Sequence, residues 1–432
     1  MRERKTSRPV LALLLAAMTI QGCSFRPTAS VSVPEPTPAP AEESAFVPAS
    51  PEITPEPTPE ITPEPTPCGH PTWENGVCTS CGTACPHQSW AGGKCGVCGT
   101  PCSHEQHDKT SLRCATCGEI VPHAFDKNVC VRCGVSPVFF DKVLPREFFF
   151  TCRHRGEVET LTYKTDAYTP TGSQQPLDLE KKMLVYLPYG YDPAEKYDLL
   201  ILLHGSGCTE HYWLEDTLAY APGSLEEVFT RDLLDNLIET GHSRKVIVAT
   251  PTFYRYSDAQ GIYNRMLDQP RFMDELRNDI LPLLVEKYST YAQSGSSEDI
   301  SAARAHFAFA GLSLGSIYGF TGTLPECVDL FGWYGLFSGS DGYMDMLAET
   351  LNTPPDSLYP IYYFYNSIGV FDPYYWLHKG QYAQLVGFAN GLTDGENAAF
   401  TEIQGVGHEY AAWAAGLTNF LSVAVSLPEG AE

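Results

Sequence analysis

The stretch HFAFAGLSLGSIYGF, residues 306–320, sets a β-prone apolar run against a serine flanked by glycines. From Gly311 to Gly315 it spells G-x-S-x-G, the pattern of a sharp strand-to-helix turn that exposes a serine hydroxyl. The same pattern arises by chance where a helix packs on a sheet through small residues. Which of the two describes Ser313 depends on whether the chain supplies a base, an acid and an oxyanion hole in the right order.

The segments around it alternate in type. KKMLVYLPYGY (181–191), YDLLILLHGSG (197–207) and RKVIVATPTF (244–253) read as strands, and the unbroken apolar run of the second suits a sheet covered on both faces. FMDELRNDILPLLVEKY (272–288) reads as a helix with acidic residues near its start. AHFAFAG, a helix from Ser313, PIYYFYNSIG (360–369), FTEIQGVGH (400–408) and a closing helix in EYAAWAAGLTNFLSVAV (409–425) continue the alternation. Strands alternating with helices predict a mostly parallel sheet with right-handed crossovers, hence an α/β fold.

Four features then fall in chain order. LLHGSGC (202–208) ends a strand in a glycine-rich turn, placing the Ser206 amide as one oxyanion donor. Ser313 follows in the elbow, with the Leu314 amide as the second donor. Asp372, in SIGVFDPYY, lies just past an apolar strand, and His408, in QGVGHEY, lies in a glycine-flanked loop after the next. Ser, Asp, His is the order of α/β-hydrolases, and it meets the need of the chemistry: a hydroxyl activated by an imidazole that a carboxylate orients. Asp356 and Asp394 also lie between Ser313 and His408, but one precedes its strand and the other sits in a polar loop. Among the other histidines, His204 is expected to order the oxyanion turn and His306 to begin a strand.

The 432 residues carry 28 basic and 52 acidic side chains, a formal charge of −24, which excludes a phosphate-backbone partner and so a nucleic-acid role. Arg2, Arg4, Lys5 and Arg8 precede an apolar run from Val10 to Ile20, too short to span a bilayer, which needs about 20 residues. TIQGC (19–23) resembles a bacterial lipobox, so residues 1–22 are expected to be a lipoprotein signal and Cys23 the lipidated residue of an exported, cell-surface protein held to a membrane by its anchor. Residues 23–67, with EITPEPTP repeated, favour extended polyproline conformations. At roughly 3 Å per residue such a tether reaches on the order of 100 Å.

Residues 68–135 repeat themselves. CGHPTWENGVCTSCG, CPHQSWAGGKCGVCG and CSHEQHDKTSLRCATCG share C-x-H followed by C-x-x-C, and VPHAFDKNVCVRCG has Val121 in place of the first cysteine. Three thiols and one imidazole per copy suit structural Zn²⁺: Cys68, His70, Cys78 and Cys81; Cys85, His87, Cys95 and Cys98; Cys102, His104, Cys114 and Cys117. The last copy offers His123, Cys130 and Cys133. Disulfides compete in an exported protein, and Cys78, Cys81, Cys85 and His87 form an alternative register. Closed sites of this kind leave no position for chemistry.

At KKMLVYLPYGYDPAEKYDLLILLHGSG, LPLLVEKYSTYA, AGLSLGS and GVGHEYAAWAAGLTNFL the region resembles family-one carbohydrate esterases, especially the feruloyl esterase domains of xylan-degrading bacteria. The resemblance spans about residues 140–428, within a hydrolase domain expected over 138–428. It implies an α/β-hydrolase needing no catalytic cofactor, with Ser313 as nucleophile, Asp372 as acid and His408 as base. It also implies hydrolysis of feruloyl or acetyl esters on plant xylan. Ser316 departs from it, since relatives commonly have a second glycine there. Acetyl xylan or another small ester is the alternative substrate; a surface-binding lipoprotein without catalysis is the alternative class. Trp213, Tyr374, Tyr375 and Trp376, placed near the strand ends, are candidate stacking partners for an aromatic acyl group or a sugar.

Overall fold

The computed structural model describes residues 134–165, 179–254 and 272–425 continuously. Within the repeats it describes residues 72–74, 77–79, 84–85, 87, 90–91, 94–98, 100, 114–117, 124–126 and 128–131. Two compact units divide the chain, one of Ser24–Ser103 and one that includes His104–Glu432.

The larger unit is built on eight strands: β1 (Glu157–Thr165), β2 (Leu179–Leu187), β3 (Asp198–Leu203), β4 (Val246–Pro251), β5 (Phe307–Leu312), β6 (Trp333–Phe337), β7 (Tyr363–Gly369) and β8 (Ala398–Ile403). Across the sheet they run β8-β7-β6-β5-β3-β4-β2-β1. From β8 to β4 every neighbouring pair is parallel, whereas β2 pairs antiparallel with both β4 and β1. The expected α/β architecture is therefore present, with an antiparallel edge added by the first two strands. This is the α/β-hydrolase arrangement.

β3 shows why the sheet forms. All six of its residues are buried. Leu199, Ile201 and Leu203 pack on one face with Ile247, Phe309 and Leu336. Leu200 and Leu202 face the other side with Val248, Ala308 and Ala310. With side chains alternating at a period of two, an unbroken apolar strand is stable only when both faces are covered.

Helices supply that cover: α1 (Thr230–Glu239), α2 (272–287), α3 (314–326), α4 (Met344–Asn352), α5 (Tyr375–Phe388) and α6 (Tyr410–Val423). α2 and α3 each contain a π-helical turn, Leu276–Ile280 and Gly319–Thr323. α6 is apolar nearly all round and almost wholly buried. Among the described residues no helix is long and apolar enough to cross a membrane.

Three of the repeat copies contain the same minimal hairpin, with registers Trp73↔Cys78, Trp90↔Cys95 and Phe125↔Cys130. Each closes over two residues; the sequence offers Asn75-Gly76 and Gly92-Gly93, types that tolerate positive φ, and in the last copy Asn128 stands at a φ of +61°. In these three copies an aromatic residue thus pairs in register with the first cysteine of the C-x-x-C knuckle. In the larger unit, Phe125 and Cys130 join the core cluster that contains Leu144 and Tyr363. Asn128 donates to the Gly395 carbonyl at 2.8 Å and accepts from the Tyr363 hydroxyl at 2.5 Å. The last copy is thereby docked on the sheet.

Candidate active site and Cys/His cluster

β5 ends at Leu312, and the chain turns at once into α3 through Ser313, whose φ of +51° and ψ of −116° lie where non-glycine residues rarely sit. Both glycines of the pattern are required by close approach. A Cβ on Gly311 would lie 2.5 Å from the Gly315 carbonyl carbon, and one on Gly315 would lie 2.6 Å from the His204 oxygen. The Ser313 amide donates to the Phe337 carbonyl at 2.8 Å, tying the turn to the end of β6. Ser316, where a glycine is commoner in the resembling family, donates its hydroxyl to the Gly339 carbonyl behind the turn.

The structure brings Ser313, His408 and Asp372 together from the ends of β5, β8 and β7. His408 Nε2 lies 3.0 Å from Ser313 Oγ, and His408 Nδ1 lies 2.7 Å from Asp372 Oδ2. The carboxylate only accepts, so Nδ1 carries the proton and Nε2 presents its lone pair to the hydroxyl. Asp372 is buried, and its other oxygen accepts the Tyr374 amide at 2.9 Å. The His408 ring is held edgewise between Trp413, with centroids 5.1 Å apart, and Tyr374 at 5.5 Å. Glu409 accepts the Gly407 amide at 2.9 Å and steadies the loop. The rival carboxylates lie elsewhere: Asp356 starts a 3-10 turn and Asp394 accepts the Tyr382 hydroxyl at 2.6 Å.

The glycine-rich turn after β3 is equally constrained. His204 donates from Nδ1 to the Gly205 carbonyl at 2.8 Å, and its Nε2 lies 2.9 Å from the Thr252 hydroxyl. The Gly207 amide is taken by the Tyr254 hydroxyl at 3.0 Å. Among the described residues no acceptor takes the Ser206 amide. Leu314 opens α3, where a first-turn amide has no intrahelical acceptor. Two free donors beside a poised hydroxyl are what a tetrahedral oxyanion requires.

Behind this turn lies a network that the sequence reading missed. Lys181, fully buried on β2, donates to Glu275 Oε1 at 2.7 Å and to the Thr252 carbonyl at 2.8 Å, while the Tyr163 hydroxyl donates to the same Glu275 oxygen at 2.6 Å. Its signal was a lysine at an inward position of a strand that otherwise buries apolar side chains.

The aromatic candidates separate. Trp213 is a core residue, donating to the Leu203 carbonyl at 3.1 Å and packed against Tyr212 and Tyr410, so it is no stacking partner for a substrate. Tyr375 and Trp376 belong to the first turn of α5 rather than to a loop.

In the smaller unit the ligand atoms of Cys85, His87, Cys95 and Cys98 all lie within 4.8 Å of one another. This is the second-copy register; Cys81, which the alternative register needs, lies outside the described residues. Cys85 Sγ and Cys95 Sγ are 3.6 Å apart, as are Cys98 Sγ and His87 Nδ1. A disulfide needs about 2.05 Å. A tetrahedron with bonds of about 2.0–2.3 Å has edges of roughly 3.6 Å. Cys78, Cys114, Cys117 and Cys130 are described outside this cluster, whereas Cys23, Cys68, His70, Cys81, Cys102, His104, His123 and Cys133 lie outside the described residues.

No family model matches the chain. Over 215 residues it is 29% identical to endo-1,4-beta-xylanase Y of Acetivibrio thermocellus, a match covering 50% of this chain and 17% of that enzyme. A feruloyl esterase module from Clostridium thermocellum, solved with sinapinate, superposes with a TM-score of 0.54 at 23% identity, over 67% of this chain and 95% of that one. A second solved structure, named FAE, gives 0.53 at 24% identity over the same shares. These structural likenesses establish the α/β-hydrolase fold.

Proposed function

We propose that this chain is a serine carboxylic-ester hydrolase that releases feruloyl groups from plant cell-wall xylan. The observation that carries the reading is the continuous relay from Ser313 through His408 to buried Asp372, set on a turn with positive φ. Ser313 Oγ attacks the ester carbonyl as His408 Nε2 takes its proton, and the amides of Leu314 and Ser206 receive the oxyanion. The protonated imidazole then gives its proton to the departing sugar oxygen. Water, deprotonated by His408, cleaves the acyl-enzyme and restores the serine. No step calls for a cofactor.

The acyl group is argued by likeness: the similar stretch of a xylanase, and a neighbouring fold named a feruloyl esterase and solved with sinapinate, point to hydroxycinnamoyl esters in a xylan-degrading setting. Residues 1–22 serve in this reading as a lipoprotein signal, Cys23 as the anchor and residues 23–67 as the stalk that holds the enzyme outside the cell. The 3.6 Å ligand spacing supports structural zinc in the second repeat, and His87 stands at a φ of +48°, backbone strain of the kind found at ligand-holding positions.

The deciding experiment is a panel of methyl ferulate, acetylated xylan and short p-nitrophenyl esters. Feruloyl release at the highest kcat/KM supports the proposal; fast acetyl release without feruloyl release replaces the substrate and keeps the mechanism.

A further inference from the structure

The connections that leave the C-terminal ends of β6 and β7 carry three large aromatic side chains that the fold does not bury. Tyr343, which caps α4, is 60% exposed, Phe371 is 74% exposed and Trp376 is 79% exposed. Their positions are specific. Phe371 is the residue before the acid of the relay, and Trp376 lies one helical turn after it. Between them Tyr374 closes against the His408 ring. The two connections are tied together, since Gln381 of α5 donates to the Gly342 carbonyl at 3.0 Å. Phe371 and Trp376 thus flank Tyr374 on the connection that carries Asp372, and Tyr343 stands on the connection hydrogen-bonded to it.

Exposed aromatics are costly to keep in water, and several of them gathered on neighbouring connections mark a binding surface. Nothing in the triad needs them, because Asp372 is held by its own bonds to His408 and the Tyr374 amide. The charge selects among ligands. The chain carries −24 overall, and the cation one turn beyond Trp376, Lys379, is already held by Glu402. A polyanion would be repelled, whereas a neutral sugar offers axial C–H groups to an aromatic face without charge.

We propose that Phe371 and Trp376, with Tyr343 at the outer edge, form a glycan subsite that receives the neutral polysaccharide backbone on the leaving-group side of the scissile ester. This rests on the ester-hydrolase reading for its geometry. It adds that affinity for polymer is built into the β6 and β7 connections, beyond the acyl pocket.

The test compares wild type with Trp376→Ala, Trp376→Phe and Phe371→Ala in the full chain. The ratio of kcat/KM on a feruloylated arabinoxylan oligosaccharide to kcat/KM on methyl ferulate should fall about tenfold in each alanine variant, mainly through KM on the oligosaccharide. Trp376→Phe should recover most of it. An unchanged ratio overturns the subsite. A separate arm titrates the same oligosaccharide, stripped of ester, into wild type and Trp376→Ala and follows tryptophan fluorescence and heat. Saturable binding weakened at least fivefold by the variant supports the subsite even if the acyl group is not feruloyl, and equal binding or none overturns it.

Discussion

His408 Nε2 stands 3.0 Å from Ser313 Oγ while the opposite ring nitrogen stands 2.7 Å from Asp372 Oδ2. One imidazole thus bridges the hydroxyl and the buried carboxylate, and each partner has a separable kinetic consequence. Ser313→Ala should lower kcat by about 10⁴-fold or more, because no nucleophile remains. Asp372→Asn should lower it by about 10⁴-fold, because an amide can favour the wrong imidazole tautomer. KM should move only a few-fold in both. Steady-state kinetics on methyl ferulate check this; more than a tenth of the wild-type rate in either variant would remove that residue from the reaction.

The loop after β6 presses on Ser313 from behind. A Cβ on Gly339 would sit 2.2 Å from the Ser313 carbonyl oxygen and 2.8 Å from its carbon. Gly339→Ala must therefore displace the turn, and a shift of about 1 Å at a catalytic group costs about 10²-fold in rate. Ser316→Ala removes only the hydrogen bond to the Gly339 carbonyl, worth about 1 kcal/mol. Activity should thus fall steeply in the first variant and mildly in the second, with a lowered Tm in each. Equal rates in Gly339→Ala and wild type would mean that the contact relaxes freely.

The elbow, the relay and the core strands are legible in the sequence because each is carried by local pattern: glycines that close approach demands, and apolar runs such as 199–203. The antiparallel edge is not legible, since the alternation of β1 and the buried apolar run of β2 occur in strands of either sense. Trp213 misleads for a related reason. Its chain position beside the oxyanion turn suggests a substrate contact, but its indole reaches back under β3. The Lys181–Glu275 pair joins residues 94 apart in sequence, and no spacing rule connects them. The repeat hairpins are written plainly in Asn75-Gly76 and Gly92-Gly93, a turn signal that the metal-ligand pattern overshadows.

The buried pair makes a thermodynamic prediction. Burial pulls the Lys181 ammonium down from its usual range while Glu275 opposes that shift. Glu275→Gln leaves the ammonium uncompensated, which costs about 3–5 kcal/mol, whereas Lys181→Met combined with Glu275→Leu should cost far less. Urea unfolding of both variants distinguishes them. If the single and double variants lose equal stability, packing rather than charge holds this part of the core.

The Cys/His cluster predicts metal stoichiometry. Cys95→Ser removes one thiolate of the four-ligand group and should lower zinc, measured by elemental analysis of protein purified under reducing conditions, by about one ion per chain. Hydrolysis should persist, since the four ligands and the Ser313–His408–Asp372 relay belong to different compact units. Identical zinc content in variant and wild type would reject the assignment.

His378, fully buried on α5, gives the pH dependence of stability. Its ring meets those of Phe320 and Phe400, with centroids 6.0 and 5.8 Å away. Among the described residues no hydrogen bond of normal geometry reaches either nitrogen, although the Leu336 and Gly339 carbonyls are near. Burial pushes its pKa down to about 4; the Asp372 charge opposes that fall and His408 adds to it. In the unfolded chain a histidine titrates near 6.5. Between those values the unfolded state binds the extra proton, so stability rises with pH across the window and is lost as pH drops from about 6.5 toward 4. The full span is worth about 3 kcal/mol. His378→Leu removes the titration and should flatten the curve of unfolding free energy between pH 6.5 and 4.5, as read by urea titrations at each pH. An acid slope as steep in the variant as in wild type would show that other groups carry it.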